Sequence, residues 1–247
     1  MRDVKLACAD LRFAENQLAI ASDTAVLLDK IAGFAESRLK VGDISELEAM
    51  GARNDARLSQ AIAARMPHEV EVAREKLQRL NPEIDVRAHA VELRASNVRD
   101  ILNDYDILLD GSDRLGTRYL VNDACVIYRK SLVSAAIHRF EGQAMTYVPG
   151  LGPCYRCLFS DSADGVVPNC AEAGVLGVLP GVMGTVQATE AIKLITGIGD
   201  PLTGRLLTYD ALEMRFNEFR FRRRADCAVC GDRPTITVPS DAVELCA

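Results

Sequence analysis

From residue 4 to about residue 65 the apolar positions recur at helical spacing. Leu18, Ile20, Ala25, Leu28, Ile31 and Phe34 stand among Ala, Glu, Arg and Lys. Gly42-Asp43 interrupts the pattern, and Ser45 with Glu48 three residues on is the signature of a capping box. The pattern predicts a helical hairpin, one helix over about 4–40 and a second over 45–65. Past residue 66 the period changes. Glu69–Leu80 reads as a helix that stops at Asn81-Pro82. Ile84–His89 reads as a short strand, and Ser96 caps a helix running to about Asn103. Tyr105–Asp110 is a near-continuous apolar run of the buried-strand type. Thr117–Arg129 is predicted helical, Leu132–His138 and Gln143–Val148 extended, and Leu179–Thr196 a long helix stopped by Gly197. Leu206–Asp210 and Met214–Phe221 close the series as strands. This alternation predicts an α/β layered sheet with helical cover over 67–231, preceded by the hairpin of 1–66 and followed by a tail at 232–247.

Composition narrows the function classes. The chain is 49% hydrophobic and 26% charged, with a net charge of −6 and a pI near 5.2. That acidic balance speaks against nucleic acid, whose phosphates call for clustered Lys and Arg. The one basic run, Arg220–Arg224 around Phe221, reads as a solvated strand end. No apolar run reaches the roughly 18–20 residues of a membrane span. Met1–Cys8 carries no secretory pattern. The expectation is a cytoplasmic protein, in which eight cysteines point to metal or thiol chemistry rather than to disulfides.

Four of the eight form two Cys-x-x-Cys pairs, Cys154/Cys157 and Cys227/Cys230. Two intervening residues let both thiolates of a pair face one ion, so the pairs together suit a tetrahedral structural zinc site. Gly150, Gly152 and Pro153 before the first pair, and Gly231 after the second, supply the turns such knuckles need. A redox dithiol in either pair and four free buried thiols are the competing readings. Four protein ligands leave no open position, so the zinc would hold the fold rather than catalyse.

Asp113 follows the strand at 105–110. The carboxyl end of a parallel strand is where such sheets bind ligands, and a carboxylate there suits magnesium carrying nucleotide phosphates. On spacing alone, a plain cap of the following helix serves equally well.

Taken together, several segments resemble the ThiF/MoeB/HesA family, the ubiquitin-activating-like adenylyltransferases. They are Leu109-Asp-Gly-Ser-Asp113, Thr117-Arg-Tyr-Leu-Val-Asn-Asp-Ala-Cys125, Phe140-Glu-Gly-Gln143, and Gly152-Pro-Cys-Tyr-Arg-Cys-Leu-Phe159. They continue with Pro168-Asn-Cys-Ala-Glu-Ala-Gly-Val-Leu-Gly177, Gln187-Ala-Thr-Glu-Ala-Ile-Lys193 and Asp226-Cys-Ala-Val-Cys-Gly231. The resemblance implies MgATP as substrate and cofactor, and as partner a ubiquitin-like sulfur-carrier protein ending in Gly-Gly. The carrier carboxylate attacks the α-phosphorus to give an acyl-adenylate that sulfur chemistry consumes, in a molybdopterin or thiamine type of pathway. It implies a magnesium role for Asp113, zinc ligation by the four paired cysteines, and a homodimer; Arg118, with Arg114 and Lys130, is expected near the same strand ends and is a cofactor-side candidate. Cys170 matches the family cysteine that in some members carries sulfur or links to the carrier. On its own residues, Cys170 sits in a Gly- and Pro-rich loop and reads equally as an ordinary small side chain.

The departures lie upstream. The family's Gly-x-Gly-Gly-x-Gly loop, its ribose-binding acid and its N-terminal arginines have no counterpart in this sequence. Glu69 stands where the family has lysine, and Arg114 where it has Asn. The expected fold is thus a ThiF/MoeB-like sheet lacking its N-terminal nucleotide-binding βαβ unit. Arg38–Glu48 is similar to the turn segment of TolC-like efflux proteins, which points to a foreign origin for 1–66. Three functions follow: an adenylyltransferase that is impaired or partner-dependent, a non-catalytic carrier-binding remnant with a structural zinc, or a helical assembly module.

Overall fold

The computed structural model describes residues 6–8, 28–40, 45–89, 91–160 and 174–241. These fall into two compact units, one of residues 11–92 and one combining 1–10 with 93–247.

The first unit is helical. A helix over 28–40 (α1) is followed by α2, Glu46–Leu80. The predicted capping box starts α2: the Glu48 N–H donates to Ser45 Oγ at 3.3 Å, and the Ser45 N–H donates to Glu48 Oε2 at 2.8 Å. Ala32, Ala35, Ala49 and Ala56 are buried, the small side chains two close helices need. Gln60 Nε2 donates to Asp29 Oδ1 at 3.0 Å, and Arg53 faces Glu36 at 3.8 Å, so both ties run between α1 and α2.

Three sequence expectations change here. Leu6–Cys8 is a strand (β1), not the start of a helix. The change of character read at residue 66 falls inside α2, which runs on through Pro67 as one element to Leu80. Residues 84–89 form no strand. A strand exists only against a partner, and residues 84–89 pair with none of the described strands.

The second unit is a six-stranded sheet in sequential order, β1 to β6. β2 is Ile107–Asp110, β3 Ser131–His138, β4 Glu141–Tyr147, β5 Arg205–Asp210 and β6 Arg215–Arg220. β1, β2 and β3 run parallel, and the remaining pairs are antiparallel. Alternation along β3 divides the core. Leu132 joins one apolar cluster, with Val98 and Leu102 of α3 (Val98–Asn103) and Leu120, Val121 and Ala124 of α4 (Leu115–Ile127). Ala135 joins the other, with Leu179 and Met183 of the long helix Leu179–Thr196. A short turn of helix, α5 (Tyr155–Leu158), precedes that long helix, α6. Gly197 ends α6 in the left-handed conformation, φ 70° and ψ 16°, as its sequence position predicts. Gly142 lets α6 approach: a Cβ there would lie 2.5 Å from Met183 Sδ.

The capping box carries a pH dependence. The Ser45 N–H, then its hydroxyl, hold the Glu48 carboxyl below its ordinary 4.5. A depressed carboxyl stabilises the folded state above its ordinary pKa, and that contribution disappears as pH falls through the lowered value. Ser45→Ala should therefore lower the thermal midpoint of the 222 nm signal at pH 7. The difference from the parent should shrink on acidification below pH ~4. A pH-independent difference contradicts a contribution from the ionised Glu48 carboxyl and leaves only the Ser45 Oγ bond to the Glu48 N–H.

Candidate functional site

The loop after β4 presents Cys154 as the extended residue preceding α5, and one turn later Cys157, whose N–H donates to Cys154 O at 3.0 Å. The segment after β6 repeats the device: Gly231 N–H donates to Cys227 O at 2.9 Å, which turns Cys230 back toward Cys227. The four Sγ atoms all lie within 4.8 Å of one another. Cys154 and Cys157 are 4.0 Å apart, Cys154 and Cys227 3.7 Å, and Cys157 and Cys230 3.3 Å. A tetrahedron with metal–sulfur bonds near 2.3 Å has sulfur–sulfur edges of about 3.8 Å, so the group is sized for one metal ion. Glycine is required on both sides. A Cβ on Gly152 would meet Thr203 Cγ2 at 2.2 Å, and one on Gly231 would meet Cys227 O at 2.4 Å and Ala225 O at 2.6 Å. Hydrogen bonds from Cys154 and Cys230, together with the Arg224 N–H, drive the Cys157 thiol down to about 2. Hydrogen bonds to Cys157 and Cys230, with burial, push Cys154 up.

Three buried polar groups bolt this knuckle to α4. Arg156, between the two cysteines of the first pair, makes a two-pronged ion pair with Asp123 at 2.7 and 2.8 Å. Both are buried, at 8% and 1% exposure. The guanidinium also lies 4.4 Å above the Tyr119 ring. Asn122 Oδ1 accepts the Tyr155 N–H at 2.8 Å. Sequence reasoning passed over Asn122, Asp123 and Arg156. The available signal was a polar pair inside an apolar helix, since groups so buried must find partners.

At the other end of α4 lies the strand-end loop. Asp110, 1% exposed, accepts the Ser112 N–H at 3.0 Å and the Ser134 hydroxyl at 3.4 Å. Gln187 of α6 donates to Asp110 O at 2.9 Å and Val133 O at 3.1 Å, pinning the end of β2 beside β3. Arg118 Nε donates to Ser112 O at 2.8 Å. Asp113 stands half-buried on this pinned loop, past the carboxyl end of β2. The helix that follows begins at Leu115 with Arg114 at its N-cap and no side-chain cap bond, so Asp113 does not serve as the cap. Lys130, expected near these strand ends, is at the opposite end: it precedes β3, and its Nζ donates to Asn103 O at 3.3 Å. Cys170 lies outside the described residues, and Glu69 belongs to α2 in the helical unit.

The basic run is paired as a strand end should be. Arg220 faces Glu218 at 3.8 Å, Arg223 meets Asp232 at 2.7 Å, and Arg224 meets Asp226 at 2.7 Å. No described helix is long and apolar enough to cross a membrane.

Similarity to known proteins follows the same segments. The sulfur carrier protein adenylyltransferase of Thermus thermophilus is 52% identical over 170 residues, 66% of this chain and 63% of that protein. The SAMP-activating enzyme E1 of Haloferax volcanii is 48% identical over 170 residues, 68% of this chain and 63% of that one. The adenylyltransferase and sulfurtransferase MOCS3 of Sus scrofa is 40% identical over 222 residues, covering 89% of this chain and 48% of its own. The chain therefore spans about two thirds or less of the curated relatives it matches. Among solved structures, E. coli MccB with MccA-N7isoASN shares the fold, with a TM-score of 0.57 at 22% identity over 65% of this chain and 51% of that one. The model of the ThiF family matches residues 63–229, a span that holds three of the four paired cysteines, the Asp113 loop and the α4 bolts, and the chain belongs to that family.

Proposed function

We propose that the chain is an ATP-dependent adenylyltransferase for the C-terminal glycine of a ubiquitin-like sulfur-carrier protein, impaired when it acts alone. The observation that carries the proposal is the pinned loop bearing Asp113 past the end of β2. Loops at parallel strand ends are where α/β sheets take nucleotides, and the named relatives act on sulfur carriers or their like. In this reading Asp113 holds magnesium on the triphosphate, and Arg118 keeps the loop in place and adds positive charge beside it. The Gly-Gly carboxylate of the carrier attacks the α-phosphorus, the bond to pyrophosphate breaks, and pyrophosphate leaves with its magnesium. Positioning and charge neutralisation are the catalytic means. Cys170 is proposed to attack the acyl-adenylate carbonyl, forming a thioester to the carrier as the bond to AMP breaks and AMP leaves, or to accept sulfane sulfur from a donor persulfide whose thiol is released, in a molybdopterin or thiamine type of pathway in the cytoplasm. A homodimer is proposed as the assembly. The outward side of α6, with Val178, Thr185, Ala188 and Ile192, bears no free charge, because Glu190 and Lys193 pair with each other.

The impairment rests on what is missing from the residues. Phosphates need several backbone N–H donors and positive charge, and the sequence has no Gly-x-Gly-Gly-x-Gly run. Hydrogen bonds to charged groups contribute about 1.5–3 kcal/mol each. Losing a few weakens ATP by orders of magnitude, at tenfold per roughly 1.4 kcal/mol. This favours, as the second reading, a carrier-binding remnant without catalysis.

ATP–pyrophosphate exchange with a Gly-Gly-ending carrier should be near background for the chain alone, while calorimetry still registers carrier binding. Exchange at robust rates, abolished by Asp113→Ala, overturns the impairment. Failure of any sulfur carrier to bind removes the carrier reading altogether.

For the cysteine cluster we propose zinc, whose preference for four thiolates in a closed tetrahedron fits the sulfur spacing. About one zinc per chain is expected by metal analysis. Cys157→Ser and Gly231→Ala should both lower zinc content and soluble yield, because metal binding and folding are coupled. Folded, freshly purified protein free of zinc rules this out.

A further inference from the structure

The two halves of the cysteine cluster are secured differently. The first pair is locked by buried groups: the Arg156–Asp123 ion pair, and Thr203 packed against Gly152. Cys154 is fully buried, and Cys157 and Cys227 are 8% and 3% exposed. Cys230 is the half-buried ligand, so the cluster meets solvent at this corner. Four thiolates around a dication carry a net charge of about −2, which burial disfavours unless N–H donors and cations stand near.

One side chain answers both needs. Arg223 Nε donates to the carbonyl of Cys230 at 2.8 Å, and its NH2 group donates to Asp232 Oδ1 at 2.7 Å. Asp232 in turn donates its N–H to Ala225 O at 2.8 Å. The guanidinium thereby spans the neck of the 223–232 loop and fixes Cys230 from outside. The next residue contributes its backbone, with the Arg224 N–H directed at Cys157 Sγ over 3.5 Å. Cys230 and Cys157 also act on the Arg223 charge electrostatically. Arg224, by contrast, directs its own guanidinium to Asp226 and leaves the Cys230 corner to Arg223.

We infer that Arg223 is a positioning residue for the metal site, a solvent-side clasp that holds Cys230 on the ion and governs how fast the ion leaves. The inference rests on the zinc reading above. It separates Arg223 from the rest of the basic run, whose members serve as a charged strand end. The clasp works by two means with different signatures. Its charge is exposed and therefore screened by salt, whereas its forked pair of hydrogen bonds requires the planar guanidinium and no other cation.

The test measures zinc release from the full chain to excess chelator, followed with a chromogenic zinc indicator. Arg223→Gln should release zinc about 10–100-fold faster than the parent, the range seen when a partner of a metal ligand is lost. Arg223→Lys keeps the charge without the fork and should fall between the two. Its advantage over Arg223→Gln should vanish at high salt. Asp232→Asn, which leaves the bond to Cys230 O in place, should also fall between, and it keeps the test open if Arg223→Gln does not fold. Arg220→Gln removes an arginine from the same run on β6 and should release zinc at the parent rate. A zinc-bound parent whose Arg223→Gln and Asp232→Asn variants release metal at the parent rate overturns the clasp alone. A parent that folds without zinc overturns the clasp together with the zinc reading.

Discussion

Two stretches of chain 73 positions apart, the loop after β4 and the segment after β6, meet through four sulfurs in one small volume. Most of the geometry in the α/β unit refers to that meeting. It brings the chain back after β6 to the loop that follows β4, and its buried cysteines form part of the apolar cluster beneath α3 and α4. Through Asn122, Asp123 and Arg156 it also holds the middle of α4. The loop carrying Asp113 feeds directly into the start of that helix. The metal-sized cluster and the strand-end loop thus both attach to α4, one at its middle and one at its start. A disturbance at the cysteines has a short mechanical route to the loop.

Buried charge is handled by local pairing throughout this unit. Asp123 is answered by Arg156, and Glu190 by Lys193, while the Glu190 carboxylate also accepts from the Thr146 hydroxyl and the Leu202 N–H. Removing one partner of such a pair leaves an uncompensated charge, which is far more damaging than replacing the pair. Asp110 differs. Its side chain accepts from the neutral Ser112 N–H and Ser134 hydroxyl, and its own carbonyl is held by Gln187. A carboxylate held by neutral donors at the edge of a loop is suited to shaping that loop rather than to carrying charge across the core. Asp113, half-buried three residues further on, stands on the loop so shaped.

The parallel part of the sheet ends on a three-residue strand, β1. Nucleotide-binding sheets place their phosphate loop between such a strand and the helix that follows it. Here the family match begins only at residue 63, and the match to the family's sulfur-carrier relatives covers 63% of their length. The matched span includes the strand-end loop with Asp113, and the sequence shows no Gly-x-Gly-Gly-x-Gly run.

Local patterns were legible where chemistry or periodicity is contained within a few residues. The paired cysteines with their glycines, the capping box at Ser45, the buried strand ending at Asp110, and the stop of α6 at Gly197 are all decided by nearest neighbours along the chain. Other features depend on partners distant in sequence. Leu6–Cys8 is extended because β2 offers an open edge, and residues 84–89 are not, although their pattern is the better one. α2 runs through Pro67 because helical propensity on both sides outweighs one missing N–H. Asn122, Asp123, Arg156 and Gln187 look like ordinary polar residues until burial makes each of them find a partner 33 to 77 positions away. By itself the sequence determined which elements form around a cysteine cluster and where a strand-end acid sits. Only the tertiary structure decided which strand closes the sheet, which polar groups bolt it together and which cysteine faces water, because those depend on distance in space rather than along the chain.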